Sequence, residues 1–182
     1  VTVPFLDLKA AYAELNKDLD AAVLRTCHSG WYVGGQEVEA FETDFASYTG
    51  TKHCVGVGNG LDALILSLRA LDVGPGDEVI VPSHTFIATW LAVSAVGATP
   101  VPVEAVLGSF NLDAKSAEAY ITSRTKAILP VHLYGIPADM DEICSLAKKY
   151  NLAVIEDAAQ AHGAKVRGKR IGGHGDVVAW SF

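Results

Sequence analysis

The sequence predicts an α/β fold: a mostly parallel (mixed) sheet flanked by helices on both faces. Two observations carry this. From residue 53 onward, short β-branched runs appear at "HCVGV", "EVIVP", "TPVPV", "KAILPV", "LAVIE" and "DVVAWSF". Helical patterns separate most of them, and strands that alternate with helices imply crossover-linked parallel strands. No internal repeat, low-complexity tract or linker breaks the series, and 182 residues suit one domain or a large part of one.

Before that series come two helical stripes. Tyr12, Leu15, Leu19 and Val23 form the first, and Val38, Phe41, Phe45 and Tyr48 the second. Residues 1–50 therefore read as an N-terminal helical segment and 51–182 as a portion of the larger domain. The loop "HSGWYVGG" joins the two stripes. Further on, Leu61, Leu64, Ile65 and Leu68 share one helical face, and Met140, Ile143, Cys144 and Ala147 share another. Asp139 followed by Glu142 marks the start of that last helix as a capping box does.

Composition narrows the function classes. Fourteen basic and twenty-one acidic residues leave a net charge of −7, which offers no electrostatic footprint for nucleic acid. Half the residues are hydrophobic and only 19% charged, below the roughly 25% usual in soluble domains. Such a chain buries much of itself or leaves surface for a partner subunit. Cys27, Cys54 and Cys144 have no metal-ligand or redox spacing. Cys54 and Cys144 sit in apolar patterns, so they read as buried thiols of a reducing cytosol. The start "VTVPFLDLKAAYAEL" lacks the charged start and apolar run of a signal peptide. Val79 to Val103 holds no Asp, Glu, Lys or Arg, but Pro82, Pro100 and Pro102 interrupt it. It divides into strand, helix and strand, all buried, rather than a membrane span.

In a sheet of this kind ligands bind outside the carboxyl ends of the strands, so the strand-to-helix turns hold the candidates. "GVGNGLDALILSL", Gly56 to Leu68, places glycines before a helix starting near Leu61, whose first N–H groups form a phosphate site. A merely tight turn is the other reading. A dinucleotide fingerprint fits poorly, since Leu61 stands where its third glycine belongs. In "PSHTFIATW" the Phe86 ring can stack on a heteroaromatic ligand or fill core, and His84 can be catalytic, although a lone histidine without a partner is usually structural. In "PVHLYGIPADMD", His132 and Tyr134 are polar enough to touch a substrate and equally at home hydrogen-bonding backbone, the preferred reading. "VIEDAAQAHG" sets Glu156 and Asp157 behind a buried strand, where a desolvated carboxylate is costly without a partner. A helical turn there brings Asp157 and Gln160 to one side, leaving Glu156 for a structural ion pair. A carboxylate, an amide, a phosphate nest and an aromatic ring suit a phosphorylated pyridine better than a metal, and no histidine spacing matches a zinc motif. "KVRGKR" can meet a substrate diphosphate, but reads more readily as the solvated tip of a hairpin turning at Gly168.

The motifs "GNGLDAL", "GPGDEVIVPSHTFIATWLAV", "PVHLYG", "ADMD" and "VIEDAAQAHGA" together resemble the DegT/StrS family of sugar aminotransferases, over nearly the whole chain. The resemblance implies the pyridoxal-phosphate-dependent transferase fold of type I, here the large domain only. It also implies pyridoxal 5′-phosphate as cofactor, with pyridoxamine 5′-phosphate as intermediate. It assigns Asp157 to the pyridine nitrogen, Gln160 to the ring hydroxyl oxygen, Phe86 to stacking, and Gly60, Leu61 and Ser181 to the phosphate. The implied reaction moves an amino group from glutamate to a nucleotide-linked keto sugar, nearest in wording to dTDP-3-keto-6-deoxyhexoses. The implied assembly is a cytoplasmic homodimer with shared active sites, with no membrane or nucleic-acid partner. In the family the Schiff-base lysine lies a few residues beyond "SF", so the chain reads as the N-terminal portion of a longer one. A histidine at that position would instead imply a pyridoxamine-phosphate-dependent dehydratase. A non-catalytic regulatory relative is the third reading, against which intact Asp157, Gln160 and Ser181 count.

Overall fold

The computed structural model describes residues 3–106 and 108–182; of the stretch read for a leader, Val1 and Thr2 lie outside the described residues. Residues up to Asp44 form one compact unit and Phe45–Phe182 another. The first unit contains α1 (Leu8–Ser29), capped by the Asp7 carboxylate and closed by Gly30 in the left-handed conformation at φ 67°. A two-pronged ion pair joins Arg25 to Glu37. The Tyr12, Leu15, Leu19 and Val23 stripe is exposed, and α1 buries no residue. Helix α2 (Gln36–Thr49) runs on into the second unit.

That unit is a five-stranded, wholly parallel sheet. Its strands are β1 (Glu78–Pro82), β2 (Thr99–Val103), β3 (Thr125–Ile128), β4 (Ala153–Asp157) and β7 (Val177–Ala179), in the order β2-β1-β3-β4-β7. Side chains alternate across it with period two. Val79 and Val81 of β1, Ala127 of β3, Ile155 of β4 and Ala179 of β7 face one core, with Leu64 and Leu68 of α3 (Gly60–Ala70) and Ala92 and Val93 of α4 (Ala88–Ala95). Ile80, Ile128, Val154 and Val178 face the other, with Met140, Ile143 and Ala147 of α6 (Met140–Tyr150) and Ala114 and Ala117 of α5 (Ala114–Glu118). The Asp139 carboxylate accepts from Glu142 N–H at 3.2 Å, as the capping pattern predicts. The basic run forms the hairpin β5 (Lys165–Val166) and β6 (Lys169–Arg170). Arg167 and Gly168 sit at φ 49° and 84° in its turn, the left-handed pair that two-residue hairpins require.

Three expectations need correction. The run at 53–57 forms no strand among the described residues, and Val55 and Val57 are exposed; an extended segment becomes a strand only where a neighbour completes its ladder. The 79–103 stretch does split into strand, helix and strand, but β2 is the sheet edge, with Thr99 and Pro102 exposed. Pro100 and Pro102, which cannot donate to a ladder, are tolerated at that edge. Cys54 and Cys144 are half-buried rather than core, and Cys27 is exposed.

Candidate active site

Strand β1 leads outward to the edge at β2, and the chain then returns to build β3 on the opposite side of β1. Crevices in parallel sheets open at such a reversal, beyond the carboxyl ends of the strands. There a cleft of about 550 Å³ is lined by Gly60, Leu61, Phe86, Asp157, Gln160 and Ser181, together with Asn59, Thr85 and apolar neighbours. All six residues singled out in the sequence meet in this one cavity.

The adjacent carboxylates separate because a strand sends successive side chains to opposite faces. Glu156 points into the α5/α6 side, fully buried, and accepts from His174 N–H at 2.9 Å and Gly175 N–H at 2.8 Å. Its Oε2 lies 3.1 Å from His132 Nε2, whose Nδ1 accepts from Ala138 N–H. His132 Nε2 is therefore the donor. Burial pushes the Glu156 carboxyl up, but the His132 side chain and the Gly175 and His174 N–H groups outweigh it and hold it below its ordinary value. Glu156 thus makes a buried pair with His132, and His132 also binds backbone through Ala138 N–H.

Asp157 faces the other way, at the floor of the cleft. Its backbone is pinned on both sides: N–H donates to Pro130 C=O at 2.9 Å, C=O accepts from His132 N–H at 3.0 Å, and it pairs with Ala179 of β7. The residue is 6% exposed. It accepts from Thr89 Oγ1 at 3.0 Å and Ala159 N–H at 3.2 Å. No ion pair reaches it among the described residues. Burial raises its carboxyl above the ordinary range, and the Ala159 N–H, the Thr89 hydroxyl and the nearby His132 oppose that without cancelling it. A carboxylate in this state favours a cationic or proton-bearing ligand in the cleft.

Gln160 reaches the cleft through a turn rather than the helical turn expected. Its Oε1 accepts from Tyr134 N–H at 2.7 Å. That bond orients the amide and leaves Nε2 as a donor. Tyr134 itself holds the left-handed conformation at φ 56°, and its exposed ring meets Phe110 at 5.3 Å and His84 at 6.4 Å.

At the opposite wall, Asn59 caps α3 by accepting Asp62 N–H at 2.9 Å, and Ala63 N–H goes to Asn59 C=O. The Gly60 and Leu61 N–H groups are the remaining donors of this first turn. Ser181 sits against them because extended backbone alternates: Trp180 and Phe182 point together into rings of Phe45 and His162, at 4.8–5.3 Å. Ser181 is thereby turned toward Gly60. A Cβ built on Gly60 would fall 2.7 Å from Ser181 Cβ and 3.0 Å from its Oγ, so only glycine leaves this cradle open. Phe86, 70% exposed, lines the cavity.

Two residues that the sequence reading passed over, Thr85 and Thr89, belong to the site. Their signal was present: they are polar positions four apart in a stretch without charges. Among the described residues no group of three His, Cys, Asp or Glu side chains could hold a metal, and no helix is long and apolar enough to cross a membrane.

Fold and site define a class: a parallel α/β domain whose switch-point cleft combines a helix N-terminus, an exposed aromatic side chain and a buried carboxylate. Within that class, the sequence profile of the DegT/DnrJ/EryC1/StrS aminotransferase family matches residues 13–182, and the chain belongs to this family. It is 61% identical over 180 residues to the dTDP-3-amino-3,4,6-trideoxy-α-D-glucose transaminase of Streptomyces venezuelae, covering 99% of this chain and 48% of that one. It is 57% identical to the dTDP-3-amino-3,6-dideoxy-α-D-galactopyranose transaminase of Aneurinibacillus thermoaerophilus, covering 99% and 50%. The crystal structure of S. venezuelae DesV in complex with a ketimine intermediate superposes with a TM-score of 0.91 at 62% identity, covering 93% of this chain and 46% of that one. The chain thus spans about half the length of the curated relatives it matches.

Proposed function

We propose that this chain forms the cofactor-binding part of a pyridoxal-phosphate-dependent aminotransferase. It would transfer an amino group from an amino acid, glutamate, to a nucleotide-linked keto-deoxysugar, a dTDP-3-keto-6-deoxyhexose. The observation that carries this is the buried Asp157 carboxylate, without a cationic partner among the described residues, in one cleft with the Gly60–Ser181 cradle. That pairing suits a ligand with an anion at one end and a protonated ring nitrogen at the other.

The residues fit the cofactor one by one. Gly60 and Leu61 N–H groups and the Ser181 hydroxyl would hold the phosphate at the positive end of α3. Phe86 would stack on the ring. Gln160, its Oε1 committed to Tyr134, would donate Nε2–H to the ring oxygen. Asp157 would keep the ring nitrogen protonated, because a desolvated carboxylate favours a cation beside it. When bound, the cofactor supplies an electron sink for carbanion chemistry. Both curated relatives described above are named for dTDP-3-amino sugars, which supports the substrate and its third carbon. The exposed apolar side chains Ile87 and Leu91 at the cleft support a subunit partner, so the reading extends to a homodimer with shared active sites.

The test is Asp157→Asn in the protein. Cofactor should still bind through its phosphate, while single-turnover rate falls by at least about a hundredfold, since the lost charge acts mainly as carbanion develops. Melting temperature should hold. A cofactor-loaded Asn variant with near-normal turnover would overturn the reading, as would a protein that takes up no pyridoxal phosphate. Preference for 4-keto over matched 3-keto nucleotide sugars would refute the regiochemistry alone.

A further inference from the structure

We propose that Thr89 is the positioning residue for Asp157: with Thr85 behind it, its hydroxyl fixes the orientation of the carboxylate and keeps the carboxylate charged. This rests on the cofactor reading above only for its consequence in catalysis; the effect on Asp157 stands without it.

Thr89 lies in the first turn of α4 with no exposed surface. Its Oγ1 is 3.0 Å from Asp157 Oδ2 and 3.0 Å from Thr85 Oγ1. Counting protons sets the direction. An ionised carboxylate only accepts, and a threonine hydroxyl has one proton to give. Thr89 therefore donates to Asp157, and Thr85 must donate to Thr89. Thr85 lines the cleft, so the relay runs from the cavity wall to the carboxylate, each bond polarising the next. Ala159 N–H takes the other oxygen at 3.2 Å. With both oxygens held, Asp157 has one orientation left.

The relay acts against burial. The charged or titratable groups nearby are His132, behind the end of β3 and hydrogen-bonded to Glu156, and Glu156 itself, on the opposite face of β4. The cleft-lining residues of α3, α4 and β7 add only amide, hydroxyl, backbone and apolar groups. Thr89 is thus the side chain that hydrogen-bonds to the anionic Asp157 within the cleft. Removing it strengthens Asp157 as a base and moves the shared proton from the ring nitrogen toward the carboxylate.

Thr89→Val keeps the shape and removes the donor; Thr89→Ser restores the donor. In the cofactor-free protein, the 13C carboxyl signal of Asp157 followed against pH should show proton affinity about tenfold higher in the Val variant, the size expected for one hydrogen bond to a charged group. The Ser variant should lie within about threefold of wild type. In protein loaded with ring-15N cofactor, the nitrogen signal of the Val variant should move toward the unprotonated position. An Asp157 that titrates alike in all three proteins overturns the proposal. If the Val variant does not fold, Thr85→Val carries the test, with a smaller shift in the same direction expected and none refuting it. Wild-type protein that binds no pyridoxal phosphate yet shows the Asp157 shift would sink the cofactor reading and leave the Thr89 assignment standing.

Discussion

Replacing Gly60 by alanine probes the cradle directly. The new Cβ would sit 2.7 Å from Ser181 Cβ, 3.0 Å from Ser181 Oγ and 3.5 Å from Trp180 C=O. Carbon atoms pack best at about 3.5–4.0 Å, so Ser181 has to retreat by roughly 1 Å. Its neighbours resist, because Trp180 and Phe182 are both held against Phe45 and His162. Gly60 has no left-handed φ, so alanine meets no backbone penalty and the effect is one of space. Overpacking costs about 1–3 kcal/mol, and better helix propensity returns up to about 1 kcal/mol. Net destabilisation is then about 0–3 kcal/mol. Displacing the Ser181 hydroxyl from a bound anion forfeits a charge-assisted hydrogen bond of about 1.5–3 kcal/mol, or roughly 10- to 150-fold in affinity for pyridoxal phosphate. Gly58→Ala is the control. Its Cβ would meet only the Asp62 carboxylate end at 2.7 Å, which can rotate away, so affinity should stay within about threefold. Titrating each protein with pyridoxal phosphate by absorbance, beside its melting curve, gives both quantities. A Gly60→Ala protein with wild-type affinity, or a Gly58→Ala protein weakened equally, would refute the reasoning.

Two other predictions follow from the same geometry. The folded Glu156 carboxyl is held below its ordinary 4.5, so its contribution is present above that pH and is lost as pH falls through the folded value. Wild-type melting temperature should therefore drop on acidification below about pH 4.5, and Glu156→Gln should flatten that limb while lowering stability at neutral pH. Gly168→Ala meets no atom within 4 Å but must hold φ 84°; it should cost about 1 kcal/mol from backbone strain alone, measured by denaturant melts, with cofactor affinity untouched.

Much of the fold was legible because its signals are local. The β-branched runs at 78–82 and 153–157 became strands, the Leu61–Leu68 and Met140–Ala147 faces became buried helix faces, and Asp139 capped its helix. Local signals also explain the failures. "HCVGV" has strand composition, but a ladder needs a neighbour that composition cannot supply. Pro100 and Pro102 were read as interruptions within a buried stretch, although proline in a strand already points to an edge. Asp157 and Gln160 were joined by a helical turn on spacing alone, whereas the hydrogen bond from Tyr134 holds Gln160 in place.

Which residues could do chemistry, and on which side of a strand each would lie, was legible from the order of residues alone. Period-two alternation separates Glu156 from Asp157 wherever that strand is placed, and the glycines before Leu61 fit a helix N-terminus in any α/β sheet. That positions 60, 86, 157, 160 and 181 share one cavity emerges only on folding, since their meeting depends on the strand order β2-β1-β3-β4-β7. Folding alone decided the Gln160 amide orientation, the approach of Ser181 to Gly60, and the Thr85–Thr89–Asp157 relay. These are contacts between chain segments brought together by burial of two separate cores, and no pattern within either segment specifies its partner.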